Sequence, residues 1–275
     1  MLPHFPLLKT TTGAGLLALS LVVSGCVAGS PTAGLTIEKD QGSSENISSL
    51  TRVVNANPRD PTGYNIRGSA YGRSGQFSSA LNDFNTAISL NRRYHQAYAN
   101  RGLIYRQTGN LNQALKDYNS ALQINPQYAE AYIGRGDVYR EGKRLRSAVD
   151  DYGQAIQLGT TDPRAYHNRG LLYQQNRNHS QAIEDFSKAI ALADQQPEPY
   201  NARGLSYLAI NSEQNALDDF NTALKLNSRY AEAWTNQGLV YELRGQKKRA
   251  FKSFARALAL NANYTPAREG MSRTR

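Results

Sequence analysis

Aromatic and small residues recur along this chain with a fixed period. From residue 61 the pattern repeats every 34 residues without insertion, in units 61–94, 95–128, 129–162, 163–196, 197–230 and 231–264. Position 4 of each unit is aromatic: Tyr64, Tyr98, Tyr132, Tyr166, Tyr200 and Trp234. Glycine holds position 8 from Gly68 to Gly238, and tyrosine holds position 11 from Tyr71 to Tyr241. Positions 20 and 27 are always alanine, and position 24 is Phe84, Tyr118, Tyr152, Phe186, Phe220 or Phe254. Positions 4, 8 and 11 fall on one stripe of a first helix, and positions 20, 24 and 27 on one stripe of a second. The small residues let the two helices approach closely, while the aromatics fill the space beside them.

The turn between the helices falls near position 15. Gly75, Gly109, Asn211 and Gly245 stand there, residues that tolerate the left-handed backbone ending a helix. Lys143 and Arg177 take that place in units three and four, where longer or more strained turns are expected.

In these residues the chain resembles the tetratricopeptide repeat, over 204 of its 275 positions. The resemblance implies an all-α fold, a right-handed α-solenoid of six helix-turn-helix hairpins whose neighbours share one continuous core. Ahead of the first unit the register continues, with Leu50 at position 24, Val53 at position 27 and Pro58 at position 32. Residues 46–60 are therefore expected to form an N-terminal capping element, helical over 46–56. Residues 265–275 form a basic tail too short and polar for a full capping helix. The face around Leu258 and Leu260 is then thinly covered, a candidate surface for homodimer formation or partner contact.

Residues 1–25 read as a secretory signal. Gly13 to Val23 is an apolar run too short to anchor permanently in a bilayer. It ends in Val23-Ser24-Gly25-Cys26, which resembles the bacterial lipobox. That resemblance implies lipidation of Cys26, the only cysteine of the chain. With Val27 rather than aspartate next, it implies an outer-membrane lipoprotein of the cell envelope facing the periplasm. Residues 26–45 are small, polar and aperiodic after the cysteine and read as a flexible tether.

Charge sharpens one region. Residues 231–275 carry nine Lys/Arg against three Asp/Glu, the main basic excess of a chain whose net charge is +10. Such a patch favours acidic partners, phosphate-bearing surfaces or nucleic acid, or remains a solvated face. The 17 tyrosines suggest a stacking surface until they are placed in register. All fall at positions 4, 11, 24 or 34, which are structural, and no nucleic acid partner is expected.

Five arginines recur at position 7 (Arg67, Arg101, Arg135, Arg169, Arg203) and five aspartates at position 23 (Asp83, Asp117, Asp151, Asp185, Asp219). In an antiparallel hairpin turning near position 15 these positions face one another. An Arg–Asp bridge across each hairpin, or to the next, is expected in preference to an anion site. Unit six has Gln237 and Ser253 instead.

In the tetratricopeptide family positions 2, 5, 6, 9, 12 and 13 of the first helices line a concave face. The resemblance thus puts Asn65, Arg73, Asn100, Arg106, Gln107, Asp137, Arg140, Glu141, His167, Asn168, Gln174, Gln175, Asn201 and Asn236 in a peptide-binding groove. Its amides suit the backbone of an extended peptide or helix, and its arginines suit carboxylates. The carboxylate clamp of chaperone-binding relatives is not carried over: its lysines are absent and position 6 of unit three is Gly134.

No enzyme is expected, and no cofactor. The histidines have no metal-ligand spacing. The Asn-Arg-Gly strings sit inside helices rather than in a phosphate loop, and no nucleophile–base set can be assembled. Architecture and lipobox together are similar to the tetratricopeptide lipoproteins of bacterial outer membranes. These include NlpI-like adaptors, which bring proteases and peptidoglycan hydrolases together. The alternative is a pilotin-like or pilus-assembly lipoprotein.

Overall fold

The computed structural model describes residues 41–275, and these contain fourteen helices and no strand. Helix α1 spans Ser44–Ala56. Six hairpins follow: α2 (Pro61–Arg73) with α3 (Phe77–Leu90), α4 (His95–Gln107) with α5 (Leu111–Ile124), and α6 (Ala129–Glu141) with α7 (Leu145–Gln157). The second half has α8 (Pro163–Gln175) with α9 (His179–Leu192), α10 (Pro197–Ala209) with α11 (Glu213–Leu226), and α12 (Ala231–Leu243) with α13 (Lys247–Leu260). Helix α14 (Thr265–Arg273) ends the stack. Each helix packs on the next along the chain, and successive first helices also touch, the arrangement of an α-solenoid.

The register explains the packing. Alanines 80, 114, 148, 182, 216 and 250 at position 20 are fully buried, as are the position-24 rings beside them. In five of the six units position 8 has no room for a side chain. A Cβ on Gly136 would lie 2.8 Å from the Tyr152 ring, and one on Gly204 would lie 2.6 Å from Phe220. Two hairpins begin with a side-chain cap. Asp60 and Asp162 accept from the backbone N–H of Thr62 and Arg164 at 2.9 Å, each ahead of a proline in the first turn.

Two expectations change and one is narrowed. The turns at Lys143 and Arg177 are the strained alternative and not the longer one: both residues take the left-handed backbone, with φ of 57° and 60°, like glycine in the sister turns. Helix α1 begins at Ser44, inside the stretch read as tether, because Ser43 caps it by accepting from the N–H of Asn46 at 3.2 Å. The basic tail is helical. Its Ala267 is fully buried, and a Cβ on Gly270 would lie 2.4 Å from the Phe254 ring. Helix α14 thus docks as the first helix of a shortened seventh unit and packs against Leu258. Arg273 clamps it to Glu242 with two bonds of 2.7 and 2.9 Å. Residues 1–40, with the signal run, Cys26 and most of the tether, lie outside the described residues.

Among the described residues no helix is long and apolar enough to cross a membrane.

Candidate functional site on the concave face

The Arg–Asp positions meet within each hairpin. In Arg67–Asp83, Arg101–Asp117, Arg135–Asp151, Arg169–Asp185 and Arg203–Asp219 the guanidinium donates two parallel bonds of 2.7–2.9 Å to the carboxylate. The aspartates are buried. Rings at positions 4 and 11 flank the cation: Arg135 Cζ lies 5.5 Å from the Tyr132 centroid and 5.8 Å from that of Tyr139. The Asp151 carboxylate raises Arg135 above the ordinary arginine value, so the cation is permanent.

In four of the five pairs the third nitrogen of the guanidinium reaches back to position 25 of the preceding unit. Arg101 Nη1 donates to Asn85 at 2.6 Å, Arg135 to Asn119 at 2.7 Å and Arg203 to Ser187 at 2.9 Å. Arg67 makes a longer version to Thr51 in α1, at 3.4 Å. Arg169 has no such partner, because position 25 of unit three is Gly153.

The concave amides are placed differently from the expectation. Six of the eight are engaged across neighbouring first helices, four of them with one another, while Gln107 and Gln175 are exposed. Asn100 donates to Asn65 Oδ1 at 3.0 Å, and Asn236 donates to Asn201 Oδ1 at 2.9 Å. Asn168 donates to Asp137 Oδ1 at 2.9 Å. Gln174 donates to Ser206 Oγ and to the Ala202 carbonyl, both at 2.8 Å. Successive first helices lie side by side, and in two pairs positions 5 and 6 of adjacent units come within bonding distance. Arg73 and Gln107 remain exposed, and both line a small cleft with Leu103.

A different part of the face is shaped like a site. Between hairpins two and three, with Arg164 from the fourth, lies a cleft of about 190 Å³. Arg106, Tyr118, Glu130, Gly134, Asp137 and Arg164 line it. It exists because position 6 of unit three is glycine: a Cβ there would meet Tyr118 ring atoms at 2.4 Å and its hydroxyl at 2.6 Å. The Tyr118 phenol thus reaches the floor of the groove, and burial pushes its pKa up, so it stays neutral. Arg106 donates to Glu141 at 2.7 Å and lies 3.5 Å from Asp137. Its Nε is buried without a hydrogen-bond partner. Asp137 also accepts from the Tyr152 hydroxyl at 2.7 Å. Two buried donors nearby are equally idle, Arg140 Nε and, in one tautomer, His167 Nδ1. Burial lowers the pKa of His167 and keeps its ring neutral.

Tyr118, Glu130, Gly134 and Arg164 line the cleft but were not among the expected groove residues. A signal was present: tyrosine in place of phenylalanine at position 24, followed by glycine at position 6 of the next unit. Among the described residues no group of three His, Cys, Asp or Glu side chains is arranged to hold a metal.

Tetratricopeptide-repeat sequence models match residues 61–94, 102–139, 136–176, 163–195 and 201–265. The chain belongs to the tetratricopeptide repeat family, and it is a scaffold of the kind that binds protein partners. No curated protein matches it in sequence. Solved structures share its fold. The APC/C hetero-tetramer Cut9–Hcn1 superposes with a TM-score of 0.71 at 17% identity, covering 87% of this chain and 47% of that one. The chain therefore spans about half the length of that relative. PilF of Pseudomonas aeruginosa gives 0.71 at 18% identity, over 78% of this chain and 97% of that one. YrrB, described as a TPR protein with an unusual peptide-binding site, gives 0.62 at 21% identity, over 69% and 97%.

Proposed function

We propose that this chain is an adaptor of the bacterial envelope, lipid-anchored through Cys26 at the outer membrane and facing the periplasm. Its concave face takes a peptide segment of a partner protein, and the partners are envelope proteases or peptidoglycan hydrolases. The cleft at Tyr118 and Gly134 carries the peptide-binding part of this reading. It is preformed, two arginines face it, and Arg106 Nε has a bond to give. A side chain bearing a carboxylate or amide oxygen is the matching occupant. The lipobox-like Val23–Cys26 supports the anchor. Self-association through the Leu258 face is not included, because α14 packs there.

The test uses the full chain as bait in detergent-solubilised envelopes, beside Arg106→Ala/Arg164→Ala of equal helicity. Recovery of a protease or cell-wall hydrolase by the wild type, and its loss in the variant, is expected. Equal recovery by both would refute the cleft, and recovery of neither class would refute the adaptor role. Palmitate incorporation that persists in Cys26→Ser would refute the anchor. The alternative is a pilotin-like or pilus-assembly lipoprotein. Deletion separates the two, since it predicts lost pili or secretin multimers with normal hydrolase levels.

A further inference from the structure

The sixth hairpin breaks the rule of the other five. In each of those the guanidinium of position 7 is paired with the aspartate at position 23, with the rings at positions 4 and 11 flanking it in four and the position-11 ring alone in the fourth hairpin. In the sixth the rings remain, as Trp234 and Tyr241, but the pair is Gln237 and Ser253. These two turn inward. Ser253 Oγ donates to Gln237 Oε1 at 2.7 Å, and Gln237 Nε2 donates to Asn221 Oδ1, also at 2.7 Å. Both polar ends are satisfied, and no position-7 guanidinium lies between the rings; instead Arg249 of α13 stands over one of them, its Cζ 5.6 Å from the Tyr241 centroid. Position 25 adds to the opening, since Ala255 stands where three other units have asparagine. The result is a cleft of about 800 Å³ between α12 and α13.

This cleft is not part of the concave groove. At 100° per residue, positions 4, 7 and 11 lie on the side of the first helix opposite positions 2, 5, 6, 9, 12 and 13. Its walls are built rather than incidental. The Trp234 indole N–H donates to the Ser228 carbonyl at 3.0 Å, which fixes the ring. Arg249, Lys252 and Arg256 form its rim, and Lys247–Leu260 contains five basic residues and no acidic one.

We propose that this cleft is a second binding site, and that it takes an acidic peptide segment which inserts an aromatic side chain between Trp234 and Tyr241. The chemistry selects the occupant. A guanidinium, the group that fills this place elsewhere, finds Ser253 instead of a carboxylate and three cations around it. An anionic segment with an apolar side chain meets both the rings and the rim. The rim cations stand at intervals of three and four residues on one helix, over about 10 Å. Alternate carboxylates of an extended peptide lie about 7 Å apart and match that stripe. A single-stranded nucleic acid asks instead for a cationic groove that tracks successive phosphates.

Trp234 is the only tryptophan, so its emission reports on the cleft directly. The full chain is titrated with the blocked peptide EEFEE, with KKFKK and with a ten-residue oligodeoxythymidylate. EEFEE should shift the emission saturably and lose at least tenfold in affinity between 50 and 500 mM salt, on the order expected for charge screening. Gln237→Arg/Ser253→Asp rebuilds the pair of the other hairpins and fills the cleft, so the response should vanish with helicity unchanged. If that variant fails to fold, Arg249→Glu/Arg256→Glu reads the same loss through the rim. Arg106→Ala/Arg164→Ala should respond like the wild type, which separates this site from the concave one. No saturable response, an equal response to KKFKK, tighter binding of the oligonucleotide, or binding that survives the refilled cleft would each overturn the proposal.

Discussion

The Tyr118 ring lies over Gly134 so closely that a single methyl group there would sit 2.4 Å from it. Two hairpins share this contact, and it creates the concave cleft. Gly134→Ala should therefore lower stability by about 1–3 kcal/mol through overpacking, even though alanine gains about 1 kcal/mol of helix propensity. Urea unfolding checks the sign. A higher midpoint would mean that Tyr118 moves aside freely.

Asp151 is buried under a guanidinium that keeps its charge. Asp151→Ala leaves Arg135 half-buried and unpaired, at a cost of about 2–4 kcal/mol. Arg135→Leu/Asp151→Tyr removes both charges and should recover most of that loss, since well-packed apolar pairs replace buried ion pairs at little cost. Thermal melts of the three variants rank them. A double variant no better than Asp151→Ala would mean that the Arg135–Asn119 link carries the stability.

Lys143 and Arg177 hold left-handed backbone with side chains that disfavour it. Lys143→Gly and Arg177→Gly should each stabilise by about 0.5–1 kcal/mol, the relief of left-handed strain less the added freedom of the unfolded chain. Gly109→Ala, with φ of 77°, should destabilise by a similar amount. Denaturation midpoints give the comparison.

Burial lowers the pKa of His167 and, in the same direction, of His95. The unfolded chain takes up these protons near the ordinary histidine value of about 6.5, while the folded chain resists them to lower pH. Stability is then full above about pH 7 and falls as pH drops toward the depressed folded values. The melting temperature should decline from pH 7 to 5.5, and His167→Gln should flatten that decline without abolishing it, since His95 remains. An unchanged slope would show that the ring protonates in place.

Position within the repeat was legible because helical period assigns each residue to a face. Arg67 and Asp83 could be paired from two integers and a turn. The fate of Asn65 and Asn100 was not legible in that way. Both lie on the concave stripe, but whether they face a ligand or each other depends on the offset between successive hairpins, a property of neither helix alone. Tyr118 was hidden for a related reason: its ring belongs to one hairpin's core, while its hydroxyl emerges only because Gly134 of the next makes room. Helix α14 docks through Ala267 and Gly270, small residues that leave no hydrophobic signature.

The glycine at position 153 has a mechanical consequence. At the neighbouring junctions an arginine rivets its hairpin to the one before, and between hairpins three and four that rivet is missing. The same junction carries the left-handed Gly159 and the start of α8 at Pro163. On the concave side the bond of 2.9 Å from Asn168 to Asp137 still ties hairpin four to hairpin three. Arg106 and Gly134 stand on one side of this seam and Arg164 on the other, so the concave cleft bridges a junction at which the arginine link is replaced by the bare backbone of a glycine.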